Sequence, residues 1–188
     1  SEALSLLTLG LAYHSAGDLQ RALDFYQKVA TEEGLSRHDG KEVPLLLIGN
    51  IYSVLASQSR CDIVQAERYQ ALAVDHYAQA LEIKPDYTRA LIGHAGILYL
   101  QALGDPNLST IDMELLNRSQ TLFEQTIAIS DQTTSANIQP KVDFGLGQIE
   151  IVRLSQASKN LDAVAHYFQS VVNEYEAGNV SLEELAGH

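Results

Sequence analysis

The segment LLTLGLAYHSAGDLQRALDFYQKVA, residues 6–30, decides how this chain folds. Apolar residues in its first part recur three and four positions apart, which predicts a helix over about residues 2–15. The Ala-Gly-Asp triplet at 16–18 then interrupts the pattern, as glycine-containing turns do. A second helix is predicted over about residues 19–31. The segment therefore predicts two helices joined by a tight turn.

Small residues and one aromatic residue explain how these two helices would pack. Gly10 and Ala22 lack bulk, so the two helix backbones are able to approach closely. The ring of Tyr26 is expected to fill the groove beside them. This combination predicts a helical hairpin that buries the same face in any copy of the pattern.

A second feature is a spacing of 46 residues between matching positions. Small residues return to small-residue positions, and an aromatic residue returns to an aromatic position. Gly49, Ala73, Tyr77 and Ala80 recur as Ala95, Ser119, Phe123 and Thr126. A fixed period of this length is typical of stacked helical repeats, which present extended surfaces for binding.

The first hairpin resembles the tetratricopeptide repeat (TPR) consensus. Starting at Leu6, it matches the pattern Leu-x2-Leu-Gly-x2-Tyr-x8-Ala-x3-Tyr. It departs from the consensus at Leu6, where the family has Trp, at Val29, where it has Ala, and in lacking the terminal Pro. The resemblance implies an all-α fold, a right-handed α-solenoid of about four TPR-like helical hairpins.

The predicted hairpins cover the whole chain as a single repeat domain. We expect units at about 2–33, 43–85, 87–131 and 140–178, and the start of a ninth helix at 182–188, as in a fragment of a longer protein.

The second helices of units two and three are expected to be longer than in the consensus. The signature Gly and Ala are 12 residues apart in unit one, but the matching positions are 24 apart in units two and three. Asp62 with Gln65 is a candidate N-terminal cap for the first long helix. We therefore predict helices over about 63–83 and 111–130.

Composition limits the classes of partner and compartment. The formal net charge of −12 repels phosphate backbones and acidic lipids, so we expect neither nucleic acid nor membrane as a partner. Cys61 is the one cysteine, so no intrachain disulfide forms, which fits a reducing, cytoplasmic location. The sequence contains no apolar run of 18 residues.

The sequence offers no catalytic or cofactor motif. Its six histidines do not pair with one another or with Cys61 at the spacing of a helical zinc site. His94 is interpreted as a buried or groove histidine with a structural role. We therefore expect that the protein is not an enzyme and that it binds neither a cofactor nor a metal ion.

The TPR resemblance also implies where a partner binds. In that family the first helix of each hairpin lines a concave groove. Many members use Asn at the position of Asn50 to hold the backbone of a bound peptide. The alternative interpretation, with equal weight, is that Asn50 is a solvated polar residue without a binding role. The carboxylate clamp of chaperone-binding TPRs is not expected, because Leu7 and Leu11 replace its Lys and Asn. The candidate groove residues are Leu7, Leu11, Leu46, Asn50, Arg89, Ile92, Tyr99, Phe144 and Gln148.

These walls are largely apolar, which suits an amphipathic helix or an apolar peptide segment of another protein. The open alternative is that further repeats of the same protein cover the groove, and self-association is possible. We therefore expect a non-catalytic scaffold for protein–protein or peptide interaction. The alternative is a peptide-sensing regulatory domain of a bacterial signalling protein.

Overall fold

The computed structural model describes residues 2–31, 40–59, 61–104, 111–130, 138–157 and 161–178. These residues contain helices and no strand, so the all-α prediction is confirmed. The helices are α1 (Glu2–Ser15), α2 (Leu19–Thr31), α3 (Glu42–Gln58), α4 (Ile63–Ile83), α5 (Thr88–Leu103), α6 (Met113–Ser130), α7 (Gln139–Ala157) and α8 (Leu161–Glu176). The predicted ninth helix at 182–188 lies outside the described residues.

The turn between α1 and α2 has the local chemistry that its sequence predicts. Gly17 has a φ of 80°, a backbone conformation that glycine adopts without a steric penalty. The amide of Asp18 donates to the carbonyl of Tyr13, which closes the end of α1. The carboxylate of Asp18 accepts from the amide of Arg21 at 3.2 Å and caps the start of α2.

The lengthened helix α4 is confirmed with the bounds predicted for it. It has 21 residues, and Asp62 caps its first turn by accepting from the amide of Gln65 at 3.1 Å. Helix α6 is also long but begins at Met113, two residues later than expected. The reason is local, because the Asp112 carboxylate caps this helix by accepting from the amides of Glu114 and Leu115.

The chain divides into two compact units, Ser1–Gly93 and His94–His188. In the first unit α1 packs on α2, α2 on α3 and α3 on α4. In the second unit α6 packs on α7 and α7 on α8. Helices that are neighbours in sequence are therefore neighbours in space within each unit, as in helical hairpins joined by short turns.

The eight positions of the 46-residue repeat all lie in the core. Where the second copy has a hydroxyl in place of alanine, a backbone carbonyl accepts its hydrogen bond. Ser119 Oγ donates to the Ala95 carbonyl at 2.8 Å, and Thr126 Oγ1 donates to the Leu122 carbonyl at 2.8 Å. Burial of these hydroxyls therefore leaves no unpaired donor, and the repeat marks packing positions.

Candidate functional site

Tyr77 of α4 is the centre of a polar network that includes Asn50 and Ser53 of α3. Its ring is fully buried and packs on two glycines from two other helices. A Cβ at Gly49 of α3 would lie 2.7 Å from the ring, and one at Gly93 of α5 would lie 2.5 Å from it. The absence of side chains at both positions therefore makes room for the ring.

The hydroxyl of Tyr77 lies at the end of this packed ring and contacts two polar side chains of α3. It donates to Asn50 Oδ1 at 2.8 Å. The phenol has one hydrogen, so the Ser53 hydroxyl, 3.0 Å away, donates to Tyr77 Oη. Burial raises the pKa of Tyr77 to about 12, with the Ser53 hydrogen bond acting in the opposite direction. The phenol therefore stays protonated and stays a donor at neutral pH.

This network orients the carboxamide of Asn50. The side chain is half-buried, and its oxygen accepts from Tyr77. The oxygen and the amide nitrogen lie at opposite corners of the carboxamide, so Tyr77 determines the direction in which the two N–H donors point. Asn50 is thereby a pre-oriented donor beside solvent, the geometry needed to hold a backbone carbonyl of a ligand.

Helix α1 carries an exposed apolar stripe. Leu4 is 63% exposed and Leu11 is 44% exposed, with the half-buried Leu7 between them. These leucines are three and four positions apart and share one helix face. The predicted groove residues Leu7 and Leu11 are thus accessible within the first unit, and the described residues leave part of this apolar surface uncovered.

The structure corrects the prediction that Leu46 lines the groove. Leu46 is only 4% exposed, so its side chain belongs to the core and is not accessible to a ligand. Two other candidates in the first unit do reach the surface, since Arg89 is exposed and Ile92 is half-buried.

The remaining candidates, Tyr99, Phe144 and Gln148, are half-buried and belong to the second unit. Burial raises the pKa of the Tyr99 hydroxyl. Phe144 packs edge-to-face on Phe168 of α8, with ring centroids 5.9 Å apart. Phe144 therefore contributes to the packing of α7 on α8 in addition to any surface it presents.

The sequence interpretation missed a buried carboxylate in the second unit. Asp143 of α7 is buried and accepts from the Ser170 hydroxyl and from Gln139 Nε2. An Asp one turn after Gln139 on a helix is the signal that was available in the sequence. The second partner, on α8, is 27 positions away, and only packing brings it to Asp143.

His94 is half-buried, but both of its ring nitrogens are buried. Neither of its ring nitrogens has a hydrogen-bond partner in the described part of the chain. Burial lowers the pKa of His94, and the positive charge of Arg118 lowers it further. The neutral imidazole is therefore the favoured form.

Among the described residues no group of three His, Cys, Asp or Glu side chains is placed to hold a metal ion. In the same part of the chain, no helix combines the length and the apolar character that a membrane crossing requires.

No protein-family model matches the chain, and no curated protein matches it either.

Proposed function

We propose that this chain is a non-catalytic binding module, a TPR-like helical solenoid that holds a peptide segment of another protein on the first helices of its hairpins. The observation that carries the proposal is the half-exposed Asn50 carboxamide, which buried Tyr77 holds in one orientation. The exposed leucines of α1 support it by offering apolar contact area in the same unit.

The experiment measures peptide binding by Asn50 variants. A displayed library of random twelve-residue peptides is selected on the wild-type protein, and the selected peptides are measured by fluorescence anisotropy. Asn50→Ala removes the amide donors and should weaken binding by about tenfold, the cost of one hydrogen bond in a partly buried site. Tyr77→Phe should weaken the same peptides by a smaller factor, because Asn50 keeps its donors but loses their orientation.

Leu11→Asp tests the apolar contribution, because Leu11 is exposed and a substitution there spares the core. Asn173→Ala is the matched control, since Asn173 is an exposed helical Asn on α8. Selected peptides whose affinity is the same for wild type, Asn50→Ala and Leu11→Asp would contradict the proposed site.

The solenoid arrangement has its own test. A compact globular chain of 188 residues has a radius of gyration of about 16 Å. Stacked hairpins extend in one direction, so small-angle X-ray scattering should give a larger radius and an asymmetric distance distribution. A radius at the compact value would rule out the proposed arrangement.

A further inference from the structure

A groove lies between α2 and α4 in the first unit, and Tyr52 and Leu55 of α3 also line it. It consists of two hollows that share Gln27. The first has a volume of about 290 Å³ and includes Gln20 of α2 and Gln65 of α4 near the starts of both helices. The second has a volume of about 550 Å³ and includes Thr31 and His76, near the ends of the same helices. The two hollows therefore follow one seam between parallel helices.

The length of the seam matches a short extended peptide. Gln20 and Thr31 are 11 positions apart on α2, and Gln65 and His76 are 11 apart on α4. At 1.5 Å per helical residue this distance is about 16 Å. An extended chain rises about 3.3 Å per residue, so about five residues would span the seam.

The first hollow combines polar side chains with an apolar base. Tyr52 and Tyr69 stack with ring centroids 6.0 Å apart, and both residues line the hollow. Burial, with a smaller contribution from Tyr69, raises the pKa of Tyr52, so its hydroxyl remains protonated. Leu23, Leu55 and Leu72 supply the apolar part. Carboxamides and phenols on an apolar base suit the alternating polar and apolar character of an extended peptide.

The positive charge of Arg68 indicates which kind of peptide the seam would bind. Arg68 is exposed and is the one charged residue among the described residues that line the first hollow, whereas Asp24 and Lys28 line the second. The ion pairs found in the described part of the chain join Arg21 to Asp18 and Arg153 to Glu150, so Arg68 has no such pair there. A guanidinium without a carboxylate partner favours a carboxylate from the ligand, and its planar fork can bind it through two hydrogen bonds.

We propose that the α2–α4 seam is a second binding site, which takes an extended segment of another protein carrying an acidic side chain. Arg68 binds the carboxylate, and the Gln65 carboxamide offers a donor and an acceptor to the backbone of the segment, whereas the Gln27 side chain is hydrogen-bonded to Tyr52. Asn50 is not among the described residues that line this seam, although Tyr52 and Leu55 of the same helix, α3, do line it.

The test selects displayed seven-residue peptides on the Asn50→Ala, Leu11→Asp double variant, in which the other proposed surface is impaired. We expect Asp or Glu to be enriched at one position of the selected peptides. Replacing that acid by its amide, or changing Arg68→Gln, should each weaken binding at least about tenfold. The two changes together should cost little more than either alone, because they remove the same interaction.

Arg21→Gln is the matched control, since Arg21 is an exposed arginine on α2 that does not line the seam. It should leave the affinity of the selected peptides unchanged. The proposal is overturned if selection recovers no binder above the blank, if acidic residues are not enriched, or if the affinity is indifferent to Arg68→Gln. Thermal unfolding of Arg68→Gln at the wild-type midpoint confirms that the variant is folded.

Discussion

Gly49 of α3 and Gly96 of α5 show how differently one added Cβ atom would affect packing at two helical positions. A Cβ at Gly49 would lie 2.7 Å from the ring of Tyr77, whereas a Cβ at Gly96 would meet no atom within 4 Å. The two sites share helical backbone and differ in the space beside them. Substitution with alanine therefore separates the packing contribution of a glycine from its effect on helix propensity.

We predict opposite effects of the two substitutions on the free energy of unfolding. Gly49→Ala should lower it by about 1–3 kcal/mol, because the buried ring of Tyr77 has to move. Gly96→Ala should raise it by up to about 1 kcal/mol, because alanine is the better helix former. Urea unfolding followed by circular dichroism measures both. A loss of equal size at the two positions would contradict the packing of Tyr77 on Gly49.

His94 predicts a pH dependence of stability. Its pKa is lowered in the folded state, so the unfolded chain binds more protons as the pH falls through the ordinary value near 6.5. Stability contributed by the neutral imidazole is thus present above that pH and lost below it. Urea unfolding at pH 7.5 and pH 5.5 should show a loss at the lower pH that is smaller in His94→Gln. An identical loss in both proteins would contradict this assignment.

At the scale of the helix, the sequence predicts what depends on nearby residues. The bounds of α2 and α4 were predicted correctly, because turn and capping signals act within four positions. The burial of Leu46 was not predicted, and the reason lies in the segment 45–48 of α3. Four apolar residues follow one another there, so the pattern does not distinguish the buried face from the exposed face. Neighbouring helices decide which of them are covered.

The cap of α4 gives a prediction at this scale. Asp62→Ala removes the acceptor of the Gln65 amide and should lower the free energy of unfolding by about 1 kcal/mol. Hydrogen exchange should accelerate first in the amides of the first turn of α4. Glu67→Ala is the control, since it removes the same charge from an exposed site within the helix. Equal effects of the two substitutions would assign the loss to charge and not to the cap.

At the scale of the whole molecule, charge is the dominant feature of the composition. The chain has 24 acidic and 12 basic residues. The ion pairs in the described part of the chain are local contacts three residues apart and compensate little of this excess. Repulsion among the acidic groups therefore opposes the compact state.

Salt should relieve this repulsion. Raising NaCl from about 20 to about 200 mM shortens the screening length from roughly 20 Å to roughly 7 Å, so the thermal midpoint should rise. Sucrose at equal osmolality serves as the control for effects that are not electrostatic. A midpoint that falls with NaCl would show that favourable charge contacts outweigh the repulsion.

The sequence by itself determined the order of the described helices, the Asp62 cap and the small and aromatic residues that pack between them. These features depend on residues within a few positions or on side-chain size at a repeated position. Only the tertiary structure placed the Tyr77 hydroxyl against Asn50, covered Leu46 and opened the seam between α2 and α4. Such contacts join residues more than 20 positions apart, and their geometry is set by how whole helices pack.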